Sequence, residues 1–161
     1  MRKRLLHDFS SFLNAGISGR RTTSNTECVD NKHNSLSSGT SHSIFHADFL
    51  LTSSYSGSGG AISLNGGSKK SSTSLSVNEC TFTSIQCTGQ GGAIYVTSVN
   101  SAEIRNSLFN SCKTSLTTGH GGGGIYVSSV NAPLVSDTSL TNCDSPNDGG
   151  GVIIYACKTI S

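Results

Sequence analysis

Residues 89–99 read GQGGAIYVTSV, two glycines directly ahead of an alternating apolar run. Glycines so placed can open a phosphate-binding loop, but such a loop occurs once and leads into a helix. The run after these glycines has the period of a strand instead. Ile94 and Val96 alternate with Tyr95, so the aliphatics share one face and the tyrosine takes the other. The motif also recurs. GGAISL begins at Gly59, GGAIYV at Gly91, GGGIYV at Gly122 and GGVIIY at Gly150, spacings of 32, 31 and 28 residues. Four copies exclude a unique nucleotide loop and indicate a repeat architecture.

A second motif lies between the copies. It runs aliphatic, two residues, small, one residue, large apolar, two residues, small or apolar. Its copies are Ile44–Ala47–Phe49–Thr52, Val77–Cys80–Phe82–Ile85, Ile104–Ser107–Phe109–Cys112 and Val135–Thr138–Leu140–Cys143. A strand keeps every second residue on one face, so steps of three require the chain to bend. About thirty residues with short strands and bends make one turn of a solenoid. Stacked turns set each strand beside its equivalent in a parallel sheet, and equivalent apolar residues form ladders through the interior.

The expected ladders are Ile62–Ile94–Ile125–Ile153 and Phe49–Phe82–Phe109–Leu140. Gly59, Gly60, Gly91, Gly92, Gly122, Gly123, Gly150 and Gly151 are the expected corners, where glycine tolerates positive φ and leaves room for the next coil. The fold class is therefore all-β, a parallel β-helix of about four coils, right-handed by the rule for parallel crossovers. Leucine-rich and helical repeats lack their patterns here. A propeller blade needs about four strands, too many for this repeat length. The stretches 65–74 and 112–121 read as outward loops.

Composition agrees. The 161 residues suit one domain. Apolar residues are 34%, charged residues 12%, glycines number 19 and tryptophan is absent, so the core is thin. Net charge is +2, with Arg2, Lys3, Arg4, Arg20, Arg21 and Lys32 near the start. The nearly neutral remainder argues against nucleic-acid binding, which needs a basic face. No run is long enough to span a membrane. Residues 1–19 imitate a signal peptide, but His7 and Asp8 interrupt the apolar stretch. Residues 42–161 are assigned to the repeats and 1–41 to a low-complexity segment, with residues 5–13 as a short helix capping the first coil.

The GGAI and F-x-x-N-like halves, at Gly59–Ile62 and Gly91–Ile94 and at the phenylalanine positions above, resemble the repeats of polymorphic outer-membrane proteins. The resemblance covers about residues 44–157. The family's asparagine position holds Thr52, Ile85, Cys112 and Cys143 here. The resemblance implies a right-handed β-helix at the cell surface or outside the cell. It also implies an adhesin-like role with a protein or glycan partner and no catalysis. An inactive fragment of a larger surface protein is a further reading.

Chemistry-bearing residues are few. Cys112 and Cys143 hold equivalent positions on adjacent coils, close enough for stacked thiols or a disulfide. No cysteine or histidine spacing fits a zinc site, and nothing calls for a cofactor or a metal. Tyr95 and Tyr126 face outward as neighbours and form a candidate ligand platform. His120, in TGHGGGG, resembles the Gly-His-Gly of β-helix polygalacturonases, which makes a carbohydrate-active enzyme or its degenerate descendant the alternative function. Glycoside hydrolysis needs two carboxylates across the bond, and lyase chemistry needs a base such as Arg105 beside clustered acids. Asp144 and Asp148 read as turn residues. The readings separate on whether acids converge near His120.

Overall fold

In a computed structural model the described residues are 28–30, 33–50 and 54–158. They form a parallel β-solenoid of about four stacked coils. The first described strands are β1 (Cys28–Asp30) and β2 (Asn34–Leu36). Next come β3 (Ser41–Phe45), β4 (Ala47–Leu50) and β5 (Ile62–Asn65), then β6 (Ser74–Asn78), β7 (Thr81–Thr83), β8 (Gln86–Cys87) and β9 (Ile94–Thr97). The third coil holds β10 (Ser101–Arg105), β11 (Leu108–Asn110), β12 (Lys113–Thr114) and β13 (Ile125–Ser128). The last holds β14 (Ala132–Ser136), β15 (Ser139–Thr141) and β16 (Val152–Tyr155).

Every strand pair among the described residues is parallel. One sheet runs β3-β6-β10-β14, a second β1-β4-β7-β11-β15, a third β2-β5-β9-β13-β16, and β8 pairs β12. Among the described residues the paired strands reach back to Cys28, since β1 pairs β4 and β2 pairs β5. Those strands are only three residues long, and backbone pairing rather than an alternating apolar pattern defines them. The expected cap at residues 5–13 lies outside the described residues.

The bends demanded by the three-residue steps are single left-handed residues. His46, Glu79, Asn106 and Asp137 have φ of 50°, 55°, 48° and 49°, and each stands just before the small residue of its copy. Ser84, Ser111 and Asn142 do the same after the large apolar residue, with φ of 56°, 58° and 53°. One left-handed residue between two strands resets the pleat, so residues three apart both point inward. These corners touch along the stack. His46 Nδ1 lies 2.9 Å from Glu79 Oε2, and Asn106 donates its side-chain amide to Asn78 Oδ1 at 2.8 Å.

The interior is built of ladders. Phe49, Phe82 and Phe109 are in register. Their ring centres lie 4.7 and 4.5 Å apart, and the planes are 1° and 8° from parallel. Leu140 is the fourth rung. Ile44, Val77, Ile104 and Val135 form a second ladder. Ile62, Ile94 and Ile125 form a third. Its fourth rung is Val152, not Ile153, because Ile125 pairs with Val152 and Tyr126 with Ile153.

The corner glycines explain that shift. Gly59, Gly91 and Gly122 have φ of 71°, 66° and 72°, and their counterpart in the last coil is Gly149, at 64°. The fourth copy therefore starts one residue earlier than GGVIIY. Gly150 takes the second corner place, and Gly151 takes the place held by Ala61 and Ala93. At Gly91 the positive φ disfavours any side chain. At Gly92 the constraint is proximity, because a Cβ there would collide with the Gly123 carbonyl oxygen of the coil above.

Candidate functional site

The sheet β2-β5-β9-β13-β16 turns two rows of side chains away from the ladders. One row is Ser63–Tyr95–Tyr126–Ile153 and the other is Asn65–Thr97–Ser128–Tyr155. Tyr95 and Tyr126 stack with ring centres 5.6 Å apart. Tyr126 is only 5% exposed, so its ring is not an open platform for a ligand. Tyr95 is half-buried, and burial, with Tyr126 beside it, raises its pKa. Thr97 and Ser128 share a hydrogen bond of 2.8 Å and are buried as well. The tyrosine pair therefore belongs to the packing of this face.

On this face the exposed aromatic group is one coil further on. Tyr155 is 50% exposed, and the His120 ring lies 4.7 Å from its ring, tilted by 35°. His120 Nδ1 sits 2.6 Å from Asp148 Oδ2. Two loops bring these groups together. His120 ends the loop ahead of the Gly122 corner, and Asp148 ends the loop ahead of Gly149, where the two residues form a parallel bridge. Asn147 ties the loops by donating to the carbonyls of Leu116 at 3.3 Å and Gly119 at 3.1 Å.

Asp148 is thus the partner that sequence reasoning left in a turn. The signal for it is the position of the fourth corner. With that corner at Gly149, the loop 144–148 lies one coil above the loop carrying His120. Among the described residues, Asp148 is the acid in contact with His120. Hydrolysis of a glycosidic bond by the usual route uses two. Arg105 lies elsewhere, 3.5 Å from Glu103. Among the described residues, no group of three His, Cys, Asp or Glu side chains is placed to hold a metal ion.

Cys112 and Cys143 stack one coil apart beyond the phenylalanine ladder. Both are thiols. Cys112 is buried and Cys143 half-buried. The neighbouring Cys143 thiol and burial raise the Cys112 pKa, while the Cys112 thiol lowers that of Cys143 to about 7 against the opposing effect of burial. Cys80 and Cys87 are buried, and desolvation raises both.

Together these features define a parallel β-solenoid with glycine corners, a packed interior and a small polar-aromatic cluster on its rim. Residues 79–97, from the Glu79 corner to the end of β9, match the Chlamydia polymorphic membrane protein repeat. The chain thus carries a polymorphic-membrane-protein-type repeat on a β-helix. No curated protein and no solved structure is significantly similar to it. No helix among the described residues is long and apolar enough to cross a membrane, which leaves membrane-crossing strands unaddressed.

Proposed function

We propose that the chain is a cell-surface or secreted β-helix module, adhesin-like, that binds a host protein or glycan without catalysis. The repeat supports the surface setting, because the family it matches is named for a membrane protein. Stacked coils suit such work because they build an extended face from short units. The observation that carries the binding reading is the rim cluster of Tyr155, His120 and Asp148. An exposed ring offers a flat apolar surface beside a carboxylate and an imidazole that satisfy hydroxyl groups, the combination a sugar ring needs.

The alternative is a carbohydrate-active enzyme or its descendant. The His120–Asp148 contact favours it, but among the described residues that contact supplies one carboxylate where the usual route uses two. A glycan array probed with the purified chain, beside polysaccharide cleavage assays with and without calcium, separates the two. Selective binding without cleavage is the expected result. Release of reducing or unsaturated ends would overturn the reading.

A further inference from the structure

We propose that Cys112 and Cys143 form a reversible disulfide clasp that locks the fourth coil to the third and is closed by a low-molecular-weight disulfide such as glutathione disulfide.

The backbone sets the two residues opposite each other. Asn110 pairs with Thr141 on one side of them, and Lys113 bridges Asp144 on the other. The Asp144 amide donates to the Cys112 carbonyl at 3.0 Å. Neighbouring strands lie about 4.8 Å apart, within the Cα separations a disulfide spans. Both thiols point down the stack, so closure requires the Cys112 side chain to turn up toward Cys143. Cys112 Sγ lies 3.5 Å from the Phe82 carbonyl oxygen and Cys143 Sγ 3.7 Å from that of Phe109, each one coil below its own. Cys80 has no such partner on the coil next to it, since Ala47 and Ser107 hold its place on the two adjacent coils.

Access and need both favour this pair. Cys143 is half-buried and reachable, whereas Cys112 is enclosed. Leu140, Val152 and Ile154 of the fourth coil pack on the core but are only partly buried among the described residues. A covalent link there joins β15 to β11 beside these partly buried side chains.

The chemistry balances as two thiol–disulfide exchanges. The Cys143 thiolate, favoured by the thiol of Cys112, attacks one sulfur of glutathione disulfide. A Cys143–glutathione bond forms and one glutathione thiolate leaves. Cys112 then attacks the Cys143 sulfur, its proton passes to the second departing glutathione, and the Cys112–Cys143 bond closes. The two protein thiols are oxidised, and one glutathione disulfide is reduced to two thiols.

The test equilibrates the folded full-length chain with glutathione disulfide, then denatures, alkylates and digests it. The expected product is a peptide containing Cys112 linked to one containing Cys143, two hydrogens lighter, with Cys80 and Cys87 alkylated. Closure should raise the thermal midpoint by about ten degrees over the reduced chain, and dithiothreitol should reverse it. In Cys112→Ser, Cys143 should remain joined to glutathione with no such rise. Recovery of both cysteines in alkylated form, or pairing of Cys143 with any other cysteine, overturns the proposal.

Discussion

The rings of Phe82 and Phe109 lie 4.5 Å apart and 8° from parallel, one coil above the other. Phe82 also stacks on Phe49 and is fully buried. It is therefore the middle ring of the central ladder. Phe82→Ala removes both ring contacts and leaves a cavity that two rigid coils cannot close. The expected loss is about 3–5 kcal/mol, read as a fall in the urea midpoint. Phe82→Leu, which repeats what Leu140 does in the last coil, should cost less than about 1.5 kcal/mol. Equal losses for the two variants would mean that the ladder is not packed as described.

Two glycines of the corner motif should respond oppositely to alanine. A Cβ on Gly92 meets backbone of the coil above, which cannot move aside. Gly92→Ala should cost more than about 3 kcal/mol, because overpacking a backbone contact shifts a whole coil. A Cβ on Gly151 meets only the Leu140 side chain, at 3.6 Å. Ala61 and Ala93 already hold the equivalent place. Gly151→Ala should therefore stabilise by about 0.4–1 kcal/mol through the unfolded chain. Thermal melts of the two variants are the measurement.

Acid should weaken the first coil through His33. Its ring stacks on Tyr55 at 3.6 Å, and burial lowers its pKa below the usual histidine value. A base with a depressed pKa binds its proton less readily folded than unfolded. Its contribution is thus fully present above the ordinary histidine pKa of about 6.5 and is lost as pH falls through the folded value. Urea midpoints at neutral and mildly acid pH should fall further for the native chain than for His33→Phe. Equal falls would remove His33 from the pH response.

The ladders of Phe49, Phe82, Phe109 and Leu140 and of Ile62, Ile94 and Ile125 were legible because packing and period two impose the same spacing. The bends were legible too, since a step of three on one face has few other solutions. The register of the last coil was not. Gly149, Gly150 and Gly151 in a row allow either of two alignments, and only the positive φ of Gly149 and the pairing of Val152 with Ile125 decide between them. The candidate site suffered twice from the same cause. Period two tells which side of a sheet Tyr126 takes, but not that this side is covered. The meeting of His120 with Asp148 depends on the path of two loops, which no periodicity records. Strands β1 and β2 escaped notice because each is only three residues long, too short to show period two, and neither follows a Gly-Gly corner.

The rim cluster is where the proposed function is most exposed to test. The decisive comparison is binding of the native chain and of Tyr155→Ala, alongside Asp148→Asn, to the glycan or host-cell surface that the native chain selects. Circular dichroism serves to verify the fold. Tyr155 is half-exposed at the edge of the last sheet, so its loss should leave the solenoid intact. Affinity should fall at least about tenfold for Tyr155→Ala, the loss of roughly one aromatic contact, and neither protein should cleave the ligand. Unchanged binding by both folded variants, or cleavage abolished by Asp148→Asn, would contradict a binding role for this rim.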